Sequence, residues 1–131
     1  AGAAPADDFR RLLEDHYQWL LRENPVQATQ LGVRRYDDRI NDLSDEARER
    51  RIRDIQGFLA RLNAIPADQL PAADRVNHGI LERNFEQAVA EWRLPQRDML
   101  FTTYYGWHQG FAGMARGLPF QNAADYRSYL T

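Results

Sequence analysis

The sequence has no cysteine. That absence excludes thiolate nucleophiles, disulfides and thiolate-bound metals, and it leaves the redox compartment open, because a chain without cysteine tolerates either. Lysine is missing too, so all 17 basic residues are arginine. Schiff-base chemistry and the usual lysine of a phosphate loop go with it. No apolar run approaches the roughly 20 residues of a membrane span. Net charge is also scarce: the 17 arginines face 19 acidic residues, for a net charge of -2. Such a balance supplies no general attraction to nucleic acid or to anionic lipid.

What is present suits one compact, core-forming domain. The chain has 131 residues, 44% of them hydrophobic and 27% charged, and a globule of this length hides roughly two-thirds of its unfolded surface. Residues 1–6 read as an aperiodic, flexible tail, and residues 7–131 as one helical segment. Asp7 or Asp8 can cap a first helix whose apolar positions are Phe9, Leu12, Leu13, Tyr17, Leu20 and Leu21, with His16 and Trp19 nearby. Asn24-Pro25 ends that helix and starts another, with Asn as cap and Pro in the first turn, and Gly32 stops it as a left-handed cap. The stretch Val33 to Leu43 reads as a polar connection.

Ser44 caps a third helix running to Asn63, with Asp45 and Glu46 where the helix dipole favours acids. Its buried positions are expected at Ala47, Ile52, Ile55, Phe58, Leu59 and Leu62. Gly57 lowers helix propensity by about 1 kcal/mol, which a close helix crossing could offset. Pro66 and Pro71 bracket a turn. A fourth helix follows from Ala72 to Trp92, with an expected core face of Val76, Ile80, Leu81, Phe85, Ala88, Val89 and Trp92. The fold class is therefore all-α, an irregular antiparallel helical bundle with Phe58, Leu62, Ile80 and Phe85 inside its core. Met99 to Tyr105 reads as buried loop or helix, Trp107 to Arg116 as a glycine-rich helix, and Asn122 begins a last one. The apolar edge of Tyr126, Tyr129 and Leu130 suggests a unit that is incomplete at its C-terminus.

The candidate chemistry is sparse. His16, His78 and His108 form no HExxH, and the only metal-like spacing is His78 with Glu82 on one helix face, short of the three or four ligands zinc needs. Neither a catalytic nor a metal residue is assigned. Asp37, Asp38 and Asp42 crowd a loop that lacks the alternating ligands and glycine of a calcium site, and read as solvated linker. Arginines around Arg48 to Arg53 interleave with acids at helix-pair spacing, giving a salt-bridged face rather than a phosphate stripe. The segment YYGWHQGFAGMARG holds the candidate ligand or interface surface: Tyr104, Tyr105, Trp107, His108 and Phe111, among glycines that allow close backbone approach. Two readings stay open for it, a ligand channel or a close helix crossing.

Further features place the chain beside a known family. The opening helix is followed by Asn24-Pro25, Ala28-Thr29 and Leu31-Gly32, and then YDDRINDLSDEA from Tyr36 to Ala47. FLARLNAI from Phe58, DRVNHGIL from Asp74, and GWHQGFAGMARGLPF leading to ADYRSYL continue the series. In that order and spacing they resemble the start of the bacterial domain-of-unknown-function family number 885. The resemblance implies a longer, mostly helical protein similar to zinc peptidases of the gluzincin type, whose HExxH helix lies far downstream. It implies zinc for the full-length parent and none for this chain, which then serves as an N-terminal helical scaffold or substrate-channel wall, not catalytic itself. Its partners would be the downstream part of the same polypeptide or another chain, and peptide substrate. The alternative is a stand-alone helical domain that binds a protein or peptide. Secreted members are common in the family. With the small-residue start AGAAPADD, which suits a processed signal peptide, that gives periplasmic or secreted localisation as the expectation.

Overall fold

The computed structural model describes residues 4–92, 110 and 113–130. Among the described residues the secondary structure is all-α, as the periodicity requires: five α-helices, three short 3-10 turns and no strand. The helices are α1 (Pro5–Glu23), α2 (Pro25–Gln30), α3 (Asp45–Asn63), α4 (Ala72–Trp92) and α5 (Ala123–Leu130). The 3-10 turns are Arg34–Tyr36, Ala67–Gln69 and Met114–Gly117. The chain divides into two compact units, one of Ala1–Gln18 with Leu43–Leu94 and one of Trp19–Asp42 with Pro95–Thr131. The segments expected at Met99 to Tyr105 and over most of Trp107 to Arg116 lie outside the described residues.

In the first unit, α3 and α4 form an antiparallel pair. Ser44 caps α3 as expected, its side chain accepting from the Ala47 amide at 3.2 Å, and both helices end where their sequence signals place them. The first turn of α1 begins at Pro5, and Asp7 and Asp8 occupy that turn, where the dipole favours them, rather than the cap. Antiparallel register shows in the cross-helix partners: Leu62 meets His78, Phe58 meets Phe85, and the Arg48 guanidinium donates to the Trp92 carbonyl at the end of α4. Phe9, Leu12, Ala47, Ile55, Leu62 and Phe85 form the buried core.

The expected faces need correction. Val76 and Ile80 are 62% and 54% exposed, while His78 and Phe85 take the buried positions of α4. The inner line is thus 78, 81, 85, with Leu81 half-buried on it. His78 can sit there because its Nε2 donates to the Leu62 carbonyl at 3.0 Å, one of the last carbonyls of α3, which also accepts from the Ile65 amide. Ile52, Phe58 and Leu59 are half-buried rather than interior, and on α1 Leu13, Tyr17 and Leu20 stay exposed. Gly57 serves no close crossing: a Cβ placed there would meet nothing within 4 Å.

His16 wedges its edge against two rings, Phe58 at 5.4 Å and Phe85 at 4.9 Å between centroids, and those two rings stack at 6.1 Å. Burial lowers its pKa from the ordinary histidine value because the imidazolium would lose hydration there. A lowered folded pKa means that below about pH 6.5 the unfolded chain binds a proton that the folded chain refuses. Stability is therefore full above that pH and falls as the pH drops towards the folded pKa. Urea unfolding at pH 8 and pH 5.5 should show this loss, and His16→Gln should flatten it; an equal slope in both proteins would contradict the assignment.

In the second unit, local capping sets the geometry. Residues 28–33 close α2 as a Schellman turn: the Val33 amide donates to Ala28 O and the Gly32 amide to Thr29 O, both at 2.9 Å. Gly32 takes φ of 81°, as the left-handed cap requires. Val33 then packs on the buried cluster of Leu21, Ala28 and Tyr36. Asn24 differs from its expected role. Its side chain donates back to the Leu20 carbonyl at the end of α1, and the amide of Val26 is met instead by Asn41 Oδ1 at 3.4 Å. The connection after Gly32 is consequently structured, with Tyr36 buried in its 3-10 turn and the guanidiniums of Arg35 and Arg39 over that ring.

Candidate functional site

The second unit brings the end of α2 and the turn after it against the segment leading into α5. Asn122 and Asp125 form a reciprocal capping box. Asn122 Oδ1 accepts from the amides of Ala124 and Asp125 at 2.8 and 3.2 Å, and Asp125 Oδ2 accepts from those of Gln121 and Asn122 at 2.7 and 3.1 Å. The other Asp125 oxygen accepts from the Arg34 guanidinium, whose second nitrogen donates to Gln121 Oε1 at 3.1 Å. Residues 91 apart in sequence are thereby clamped. The Gln121 amide above all, aided by Arg34 and the Asn122 amide, holds the Asp125 carboxyl below the usual carboxylate range against its partial desolvation.

Two adjoining cavities open beside this clamp. One, of about 310 Å3, is bounded by Gln30, Arg34, Phe120, Gln121 and Asp125. The other, of about 400 Å3, has more apolar walls from Val26, Ile40, Met114, Leu118 and Leu130. Thr29, Asp37, Leu118 and Tyr129 line both, so the two are parts of one cleft. Thr29 Oγ1 donates to Asp37 Oδ1 at 2.8 Å, fixing the carboxylate at the junction. The aromatic wall is itself braced: Phe120 stacks on Tyr126 at 4.4 Å and meets Tyr129 edge-on at 5.5 Å. Fixed polar groups in a partly apolar cleft are the common makeup of ligand pockets.

The expected surface of Tyr104, Tyr105, Trp107, His108 and Phe111 lies outside the described residues. Asp37, read as part of a solvated linker, is a cleft residue, and Asp38 lines the apolar part beside Arg39. The signals that could have found the cleft were the Schellman pattern ending at Gly32 and the Asn122-to-Asp125 box, since both predict rigid corners; nothing in the sequence pairs position 34 with position 125.

The described residues do not fit zinc. His78 is buried, bonded to a backbone carbonyl, with its ring 6.0 Å from that of Phe9. His16 lies between two phenylalanine rings. Among the described residues no three His, Cys, Asp or Glu side chains gather to hold a metal ion, and no helix is long and apolar enough to cross a membrane.

No curated protein and no solved structure matches the chain. A family model does: Bacterial protein of unknown function (DUF885), over residues 25–131. The match takes in α2 to α5 and the whole of the cleft. The chain belongs to the DUF885 family.

Proposed function

We propose, with that family as premise, that the chain is a non-catalytic helical scaffold whose cleft walls the peptide path of a larger zinc-peptidase-like protein. The observation carrying this reading is the cleft at Thr29, Asp37, Leu118 and Tyr129, where clamped backbone corners hold aromatic and carboxylate groups open to solvent. A peptide suits it better than a compact metabolite, because two cavities in series accept consecutive side chains of an extended segment. Zinc has no ligand set among the described residues, so the hydrolytic groups of this proposal reside elsewhere on the polypeptide or on a partner chain. The exposed apolar positions Val76 and Ile80 on α4, and Leu13 and Tyr17 on α1, supply surface for packing against that body.

The test is a nuclear magnetic resonance titration of the labelled chain with short, end-blocked peptides. Saturable shifts confined to residues 26–40 and 114–130, without cleavage of the peptide, are the expected result. Shifts elsewhere, or none at millimolar peptide, would refute the cleft as a peptide wall. A second reading, a self-sufficient peptide-binding domain, uses the same cleft and is favoured by its lying wholly within one compact unit. The reading frame of the source gene separates the two: an HExxH downstream of Thr131 supports the scaffold, and a stop codon supports the independent binder.

A further inference from the structure

Among the described residues two guanidiniums and three carboxylates line the cleft, and how they pair fixes the chemistry left for a ligand. Arg34 is satisfied by Asp125 and Gln121. Arg39 lies 3.7 Å from its neighbour Asp38. Asp37 remains, half-buried at the junction, with one oxygen held by the Thr29 hydroxyl and no guanidinium among the described residues paired with it. A ligand entering the cleft thus meets one negative charge that no guanidinium among the described residues compensates.

The groups around that charge narrow the choice further. Leu118 and Tyr129 line both cavities together with Asp37, so an apolar contact and an aromatic ring flank the carboxylate. A long aliphatic chain ending in a cation matches this sequence of surfaces: the methylenes lie on apolar walls while the charged head reaches a carboxylate, with ring-face attraction added. An anion is disfavoured, because Arg34, the one cation among the described residues that lines the cavity beside Asp125, is already held by that carboxylate, and freeing it would strand Asp125.

We propose that the cleft is a specificity pocket for a lysine or arginine side chain of a bound peptide, with Asp37 as the residue that reads the cation. Thr29 then orients the Asp37 carboxylate through its hydroxyl. The proposal rests on the peptide reading given above and adds a side-chain preference to it.

The experiment compares three end-blocked pentapeptides, Ala-Ala-X-Ala-Ala, with X as lysine, norleucine or glutamate, titrated against the chain and against its Asp37→Asn variant. Asparagine keeps the size of the side chain and an oxygen for the Thr29 bond, and unchanged helical dichroism verifies the fold. Lysine should bind about tenfold more tightly than norleucine, as a partly screened charge-assisted hydrogen bond allows. The advantage should shrink as salt is raised and vanish in Asp37→Asn, with norleucine affinity unchanged in both proteins. Equal binding of lysine and norleucine to the native chain, with shifts still in the cleft, would overturn the cation preference and leave the peptide reading standing. A preference that survives Asp37→Asn would overturn the assignment to Asp37, and no binding by any of the three would overturn both. Since the comparison among ligands is made on the native chain, the preference stays testable even if the variant folds poorly.

Discussion

Phe85→Ala is expected to lower the unfolding free energy by about 3–5 kcal/mol, the range for deleting a fully buried aromatic ring. Phe85 is 3% exposed and touches the rings of both His16 and Phe58, so its loss leaves a void lined by two side chains anchored on other helices. Such a void collapses poorly. Ile80→Ala, on the same helix, should cost less than about 1 kcal/mol, because more than half of that side chain already faces solvent. Phe58→Ala belongs between the two, as a half-buried ring. Urea unfolding of the three variants reads the register of α4 directly. A larger loss for Ile80 than for Phe85 would mean that the helix is turned the other way.

His78→Leu should cost about 0.5–1.5 kcal/mol, the net worth of one hydrogen bond to a carbonyl that keeps another donor. The bond from Nε2 to Leu62 O joins α4 to the C-terminal turn of α3. Leucine fills much of the same volume, so the loss reports the missing donor more than a cavity. The Ile65 amide also donates to that oxygen, at 3.0 Å, which holds the expected effect below that of a carbonyl left wholly bare. A zinc titration separates this structural role from a ligand role: the native chain and His78→Leu should show the same weak, unsaturable uptake. A stoichiometric site lost in the variant would restore the metal reading of His78 with Glu82.

The contrast between Ile80, exposed, and His78, buried, shows what the sequence reveals and what it hides. Helix boundaries were legible because their causes are local: the Ser44 hydroxyl, the prolines at 25, 66 and 71, and the glycine at 32 act within a few residues of themselves. The face of α4 was not. Val76 and Ile80 repeat at the same period as His78, Leu81 and Phe85, and hydropathy ranks isoleucine above histidine for burial. The deciding factor was a hydrogen bond to a carbonyl 16 residues away, which turns histidine into a satisfied interior residue. The cleft was hidden for the same reason on a longer scale. The Arg34–Asp125 clamp depends on how the chain returns, and neither residue carries a local mark of the other. Asn24 and Asn41 add a third instance, since an asparagine before a proline reads as a cap until a distant side chain is found meeting the amide instead.

The glycines of α3 and α4 carry a consequence for motion. Gly57 and Gly79 lie inside long helices, yet a methyl group at either would meet nothing within 4 Å, so no neighbour demands their smallness. Each weakens its helix by roughly 0.5–1 kcal/mol relative to alanine. Helices ordinarily open from their ends, and here three of the four ends are held: Ser44 caps the start of α3, His78 bonds near its close, and Arg48 holds the last turn of α4. In α3, held at both ends, opening is therefore expected to start inward, at the exposed backbone around Gly57. Amide hydrogen exchange faster around Gly57 than in the flanking turns is the expected sign, and Gly57→Ala should slow it.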